Sequence, residues 1–512
     1  MKRTSLALIA AVLLNSVCTL AQHNTAPRTP KEFADDYDAF VVKLMERIPD
    51  IPGIAIVVIK DDKPIFLKAY GMADRESARK ADTDALFYIA SSTKSFTALA
   101  AAMLDREGKI RFADPMTKYT AGIQFKNPVP DKVTVRDLLT HTSGLRNGPL
   151  ANRLAFTGQI EPRDLDRVFA EATTLNEGTF GKFDYTNLGY NIYGLLLQRS
   201  LNKKWQDLLQ ERIFDPAGLK HTTAYISRAP AKKWTVAAPY IVDPAAGKMI
   251  RSVLDKKDEN MQSAGGIFIS ISDLGRWINL NMNDGRLDGK QIFPADLITA
   301  AHTGYTRTTR EEPPFIGEGE YGLGWQIGKY RNEKVIYHHG GYPGYRSHVS
   351  FLPDKKVGVG VLVNNDSAGS RAADMLATLA YDWWLGAENV DADYAKQAQD
   401  LADAYEKRKQ QLHAGALERA KRTWQLTGPF ADYAGRYVND IHGTIDVSAN
   451  ADSLTVRMGL LNTVATPYTQ PDTIRVEMLP GGNGEVIGFA KNAEGKIVSL
   501  NYGGVTFTRI AP

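Results

Sequence analysis

The stretch Ala85-Leu86-Phe87-Tyr88-Ile89-Ala90, followed by Ser91-Ser92-Thr93-Lys94 and then Ser95-Phe96-Thr97-Ala98-Leu99-Ala100-Ala101-Ala102-Met103-Leu104, decides how this chain reads. Six apolar residues predict a strand, and the alanine- and leucine-rich run after Lys94 predicts a helix. A serine and a lysine three positions apart lie on one face of a helix, about one turn apart, so an amine comes within reach of a hydroxyl. A hydroxyl alone is a weak nucleophile at neutral pH, and a neighbouring base activates it. A serine beside a helix start also serves as a cap, so the rest of the chain must choose between cap and nucleophile.

Working outward, Ile54-Ala55-Ile56-Val57-Val58-Ile59 and Ile65-Phe66-Leu67-Lys68-Ala69-Tyr70 read as two strands of a hairpin turning at Asp61-Asp62-Lys63. The first is apolar throughout, as expected of a strand covered on both faces. A helical middle follows. Strands return at Lys334–Tyr337, Ser347–Phe351 and Val357–Val363. Strands at both ends with helices between predict an α+β arrangement, one antiparallel sheet assembled from distant sequence and flanked by helices. Residues 386–427 are charged and alanine-rich and read as a helical connector. From residue 428 the pattern becomes short alternating strands, among them Thr444–Val447, Leu454–Arg457, Ile474–Glu477 and Val505–Thr508, with glycine-rich turns. That predicts a small all-β barrel or sandwich over 428–512.

Composition excludes several function classes. The 512 residues carry 43% hydrophobic and 23% charged residues, ordinary for a globular protein. The net charge is +4, of which Lys2 and Arg3 supply two, too near neutral to argue for nucleic acid or an anionic membrane. Residues 1–21 read as a signal peptide: basic Lys2 and Arg3, the apolar run Leu6–Leu14, and small residues before a cleavage point at Ala21. Cys18 is the only cysteine, so a processed chain has no disulfide, thiol nucleophile or thiolate metal site. Export without disulfides suits a bacterial periplasm or exterior. No later segment is long and apolar enough for a membrane span.

Two further patterns carry chemistry. In Phe183-Asp184-Tyr185-Thr186-Asn187, a phenol near a lysine amine could take and return a proton, and the asparagine could hold a substrate amide. In His338-His339-Gly340-Gly341, adjacent strand residues face opposite sides, so one histidine should face a cleft and the other should not. Glycines there let a substrate backbone approach the strand. Neighbouring strand histidines are poorly placed to chelate one ion, and no HExxH accompanies them.

S-x-x-K, then Y-x-N, then H-x-G, in this order, resembles the serine β-lactamase and penicillin-binding-protein superfamily. More narrowly it resembles class C-like serine hydrolases: D-aminopeptidases, D-peptidases and family VIII-type esterases. Leu138-Leu139-Thr140-His141-Thr142-Ser143-Gly144-Leu145, Ser263-Ala264-Gly265-Gly266 and Tyr321-Gly322-Leu323-Gly324-Trp325 resemble it too. The likeness spans residues 33–385, and the tail resembles the β-barrel extensions of some members. It implies Ser91 as the acylated nucleophile, Lys94 as the group that keeps it deprotonated or polarised, Tyr185 as general base and then acid, and Asn187, His338, Gly340 and Gly341 as substrate-binding positions; which of Lys94 and Tyr185 takes the first proton is left open. The backbone N–H groups of Ser91 and Gly341 would form the oxyanion hole. It implies acyl transfer to water on a small peptide, amide or ester substrate, with no metal or organic cofactor; oligomeric state is left open.

The resemblance departs at His338, where β-lactamases and most penicillin-binding proteins carry lysine. A histidine, mostly neutral at pH 7, attracts a substrate carboxylate less than an ammonium does. The expectation is therefore an exported serine peptidase or esterase. The alternatives are a β-lactamase or D,D-peptidase, and a non-enzymatic binding or sensor module. His141 reads as structural, because Lys94 already supplies a base.

Overall fold

The computed structural model describes residues 29–308, 313–479, 481–482 and 484–510. The expected signal peptide, residues 1–21, lies outside the described residues. Among them no helix is long and apolar enough to cross a membrane.

The strand Gly53–Lys60 shows why the sheet sits where it does. Its side chains alternate between two cores. Ile54, Ile56 and Val58 join one apolar cluster with the helices Pro30–Arg47 and Gly369–Trp384. Ala55, Val57 and Ile59 join the other, which holds Leu274, Trp277 and Ile278 of the helix Ile271–Met282. Each fully buried branched side chain contributes roughly 1.5–3 kcal/mol, so two-sided burial makes this strand the sheet's anchor. The apolar-throughout pattern is thus explained by helices on both faces.

The sheet has nine strands in the order Thr306–Thr308, Ile316–Tyr321, Gln326–Tyr330, Glu333–Tyr342, Tyr345–Leu352, Val357–Val363, Gly53–Lys60, Lys63–Asp74 and Arg79–Lys80. The N-terminal hairpin pairs with Val357–Val363 in antiparallel register, Ile54 opposite Val363. Strands from residues 53–80 and 306–363 therefore build one sheet, as the dispersed strands predict. The strand Glu333–Tyr342 runs further than its apolar start suggests. Its partner Gln326–Tyr330 reaches only to Tyr337. On the other side, pairing with Tyr345–Leu352 continues to Tyr342. The segment His338–Tyr342 extends past one neighbour while the other holds it in place.

Helices of the middle region, among them Thr93–Arg106 and Leu188–Leu201, contribute to the same apolar cluster as Ala55, Val57 and Ile59. Phe96 stacks on Trp277 at 3.9 Å between ring centroids, and the Trp277 indole N–H donates to Ser95 Oγ at 3.2 Å. Those contacts tie the first turn of the helix carrying Lys94 to the sheet.

A long helix, Val390–Ala420, leads to a second nine-stranded sheet, Gly435–Asn439 through Val505–Ile510. Every neighbour pair in it is antiparallel, and its first strand pairs with its last. Its two edge strands, Leu461–Val464 and Thr466–Pro467, are separated in sequence by Ala465 alone, so the sheet must curl back on itself into a nearly closed barrel.

Candidate active site

Ser91 lies in a tight turn, Ala90–Ser92, between the strand Phe87–Tyr88 and the helix Thr93–Arg106. Ala90 holds φ at +44°, uncommon for a residue with a side chain. Such strain persists where the surroundings over-determine it, and nucleophile turns are a recurrent case. The Ile89 N–H donates to Ile267 O at 3.1 Å, fixing the turn's entry.

Lys94 is fully buried and makes three contacts. Its Nζ lies 3.0 Å from Ser91 Oγ, 2.8 Å from Asn187 Oδ1 and 2.8 Å from Ala264 O. Burial pushes its pKa well below the ordinary lysine range. Three acceptors would equally suit the three donors of an ammonium, so it is burial, not the count of partners, that favours the neutral amine. In that form the contacts to the two pure acceptors use its two N–H bonds, which leaves the lone pair for the Ser91 hydroxyl. Asn187 precedes the helix Leu188–Leu201 but makes no side-chain cap there, so its amide is free to meet Lys94.

Tyr185 and Asn187 are held by His141. The His141 ring packs 4.4 Å from the Tyr185 ring, and its Nδ1 accepts from the Thr186 N–H at 3.3 Å. Burial, then the nearby Lys94 and His338, push the His141 pKa well below the usual imidazole range. That direction favours the neutral ring, and with Nδ1 accepting from Thr186 its proton falls on Nε2, which is buried without a hydrogen-bond partner among the described residues. His141 orients the Tyr-Thr-Asn loop, in keeping with the structural reading. Lys94 Nζ lies 5.0 Å from the Tyr185 ring centroid.

The third motif closes the site. His338 and His339 face opposite sides of the sheet. His338 Nε2 lies 3.4 Å from Tyr321 Oη, and its ring is 6.3 Å from that of Tyr185. His339 Nε2 lies 3.1 Å from Asp374 Oδ1, which also meets His348 Nδ1 at 2.8 Å. These three residues bring candidate ligand atoms within 4.8 Å of one another. The geometry serves equally as a hydrogen-bonded ion-pair network: burial opposes ionisation of Asp374, but hydrogen bonds from the two histidines hold its carboxyl well below the usual range. Gly340 is required by a close approach, since a Cβ there would lie 1.9 Å from Ile89 O and 2.3 Å from Ser347 Oγ. The H-x-G strand and the nucleophile turn thus touch backbone to backbone.

A cavity of about 210 Å³ opens at this junction, lined by Ser91, Tyr185, His338, Gly340 and Gly341, and it reaches round the strand to His339 and Asp374, so both histidines border it where strand alternation predicts one. The candidate residues of all three motifs therefore converge on one place, with Lys94 and Asn187 just behind Ser91. Several contributors escape the sequence reading. Ser92, inside the first motif, hydrogen-bonds Ser347 at 2.9 Å. Tyr321 and Ala264 lie in stretches that resemble the family, yet their contacts to His338 and Lys94 are not legible there. Gly324, with φ +75°, packs on the Lys94 backbone so closely that a Cβ would lie 2.4 Å from Lys94 O. Arg346 also lines the cavity, with its guanidinium beside Gly341. No local signal marks it as a site residue.

The family model described as Beta-lactamase matches residues 41–383, a span that holds every one of these motifs. The chain belongs to the Beta-lactamase family. Its relatives include the unguisins hydrolase UngD of Aspergillus violaceofuscus, 28% identical over 78% of this chain and 74% of that protein. Protein Flp of Staphylococcus aureus is 24% identical over 62% of this chain, which spans three-fifths of Flp's own length (60%). Among solved structures, the octameric penicillin-binding protein homologue from Pyrococcus abyssi shares the fold. Its TM-score is 0.57 at 22% identity, covering 93% of this chain and 99% of that one. This family member thus shares its fold with that homologue across the barrel as well as the hydrolase part.

Proposed function

We propose that this family member is an exported serine hydrolase that cleaves amide or ester bonds of small peptides, including those with D-amino acids, or of small esters, through an acyl-enzyme on Ser91. The observation that carries this is the Lys94 amine, buried, with its N–H bonds directed at Asn187 and Ala264 and its remaining contact on Ser91 Oγ.

In the reaction, Ser91 Oγ attacks the substrate carbonyl carbon while its proton moves to Lys94 Nζ. The resulting oxyanion takes hydrogen bonds from the Ser91 and Gly341 N–H groups; losing one such donor typically costs about 2.7–4 kcal/mol. Collapse expels the amine or alcohol, which takes its proton from Tyr185, and Tyr185 is recharged from Lys94. Water then attacks the ester by the reverse route and frees Ser91. Retention of all three motifs disfavours a purely binding or sensor role.

A second reading has one observation in its favour. His338 lacks the fixed charge of a carboxylate-binding lysine, but Arg346 brings a guanidinium to the same cavity. Arginine suits bidentate carboxylate recognition, which keeps a D,D-peptidase or β-lactamase activity in view. Labelling with a fluorophosphonate, followed by a panel of D- and L-amino acid amides, nitrophenyl esters, carboxylate-ending D-peptides and nitrocefin, separates the readings. A folded protein that is not labelled at Ser91 overturns the hydrolase reading; nitrocefin turnover exceeding that of esters and amides replaces it with the second.

A further inference from the structure

The barrel is a meander, so its hairpins alternate between two ends. One end is closed. The short helix Phe430–Tyr433 packs there, Tyr433 is fully buried, and its ring meets Phe489 edge-on at 5.0 Å. The hairpins at the other end, around His442, Met458–Leu461, Val476 and Glu485, and Tyr502–Val505, surround a cavity of about 500 Å³. That is within the 300–1,000 Å³ range of small-molecule sites and far larger than the voids packed interiors keep.

Its lining follows from strand alternation. Met458, Leu461, Val476, Met478, Val505 and Phe507 turn inward and make the wall apolar. His442, Glu477, Glu485 and Tyr502 bring polar groups to the same cavity, and burial and the charge of Glu485 push the Tyr502 phenol pKa up. The hydrolase part supplies a roof, since Gly148, Pro149 and Asn152 of the short helix Gly148–Asn152 border the same cavity. The roof is fixed by the segment that follows it. Arg153 donates to Ile441 O at 3.0 Å, Gln159 exchanges hydrogen bonds with Thr444, and the Leu460 N–H donates to Thr157 O at 2.9 Å.

We propose that the barrel mouth is a binding site for a small apolar molecule, with an aryl or branched-alkyl body inside the barrel and one polar end at the Glu485–Tyr502 rim. Small barrels fill their interior with side chains or hold one ligand, and here the filled half and the open half are both visible. The site is separate from the Ser91 cleft and rests on no assumption about the reaction.

The test uses the full chain and the neutral fluorophore N-phenyl-1-naphthylamine. The expected result is a saturable one-to-one fluorescence rise that persists after Ser91 is blocked with a fluorophosphonate. Leu461→Trp fills the cavity, Val505→Trp narrows its half-exposed rim, and Pro149→Trp fills it from the roof, outside the barrel. Each is expected to weaken binding about tenfold or more. The rim and roof variants keep the test valid if Leu461→Trp does not fold. Failure to saturate, loss of binding on blocking Ser91, or parental affinity in folded Val505→Trp and Pro149→Trp overturns the proposal.

Discussion

Ser92 and Ser347 place their hydroxyls 2.9 Å apart, joining the residue after the nucleophile to the strand that backs His338–Gly341. Ser347 Oγ also donates to Ile89 O at 2.9 Å, and Ser92 Oγ lies 3.3 Å from His338 O. Two hydroxyls thus set the spacing between the Ser91 turn and the strand carrying Gly341, the two sources of oxyanion donors. Misplacement of about 1 Å in such a site costs on the order of 10²-fold in rate. Ser347→Ala should therefore lower kcat on a small ester by about that factor while KM moves much less. Gly340→Ala should abolish fluorophosphonate labelling, since its methyl meets the Ile89 carbonyl. Steady-state kinetics and labelling on folded protein check both, and a Ser347→Ala enzyme with parental kcat refutes the spacing argument.

The acid limb of the pH profile should report Lys94. Only the neutral amine accepts the Ser91 proton, and burial lowers its pKa, so activity rises with pH through that lowered value and then levels. Burial and the nearby Lys94 and His338 depress the His141 pKa as well, so His141→Gln should lower the plateau without moving the limb. Lys94→Arg should be inactive, because a guanidinium cannot be deprotonated. A limb that shifts in His141→Gln would assign the proton to the histidine instead.

Arg346 yields a substrate-specific prediction. Its guanidinium is held by the carbonyls of Tyr342 and Tyr345, at 3.3 and 3.0 Å, and faces the cavity beside Gly341. A hydrogen bond to a charged group is worth about 1.5–3 kcal/mol. Arg346→Gln should raise KM roughly tenfold or more for peptides ending in a free carboxylate and leave KM for neutral nitrophenyl esters unchanged. Equal changes for both would make Arg346 a structural residue.

Much of this was legible in the sequence because it is local. The apolar strand Ile54–Ile59, a serine and lysine one turn apart, and a tyrosine two before an asparagine all announce themselves within a few positions, although the apolar run Ala85–Ala90 forms a strand only at Phe87–Tyr88 before the nucleophile turn takes over. The barrel was equally readable, since its alternation and turns repeat at short intervals. What escaped is what tertiary contact creates. Ser347 lies 255 residues from Ser92 and reads as an ordinary strand serine. Arg346 reads as a solvated cation until the hairpin turn at Gly344 brings it back over Gly341. His338 in place of lysine suggested a cavity with little attraction for carboxylates, and the placement of Arg346 tempers that inference.

Lys256 is a second buried lysine, and the mechanism does not use it. Its Nζ donates to Ala155 O at 3.1 Å and Asn260 O at 2.8 Å, and lies 4.3 Å from the Tyr342 ring centroid and 5.1 Å from that of Tyr88. Burial lowers its pKa to about 7. An unfolded lysine titrates near 10.4, so between about pH 7 and 10.4 the unfolded chain holds a proton here that the folded chain does not. Stability from this group is then fully present above 10.4 and is lost as pH falls toward 7, by at most about 1.4 kcal/mol per pH unit. Lys256→Met removes the titration while leaving two carbonyls without their donor, so the absolute difference at one pH is uninformative and its slope decides. Urea unfolding of the parent and of Lys256→Met at several pH values from 7 to 10 should show the difference moving steadily in the parent's favour. A pH-independent difference would mean that Lys256 stays protonated in the fold, held by the two carbonyls and the aromatic faces of Tyr88 and Tyr342.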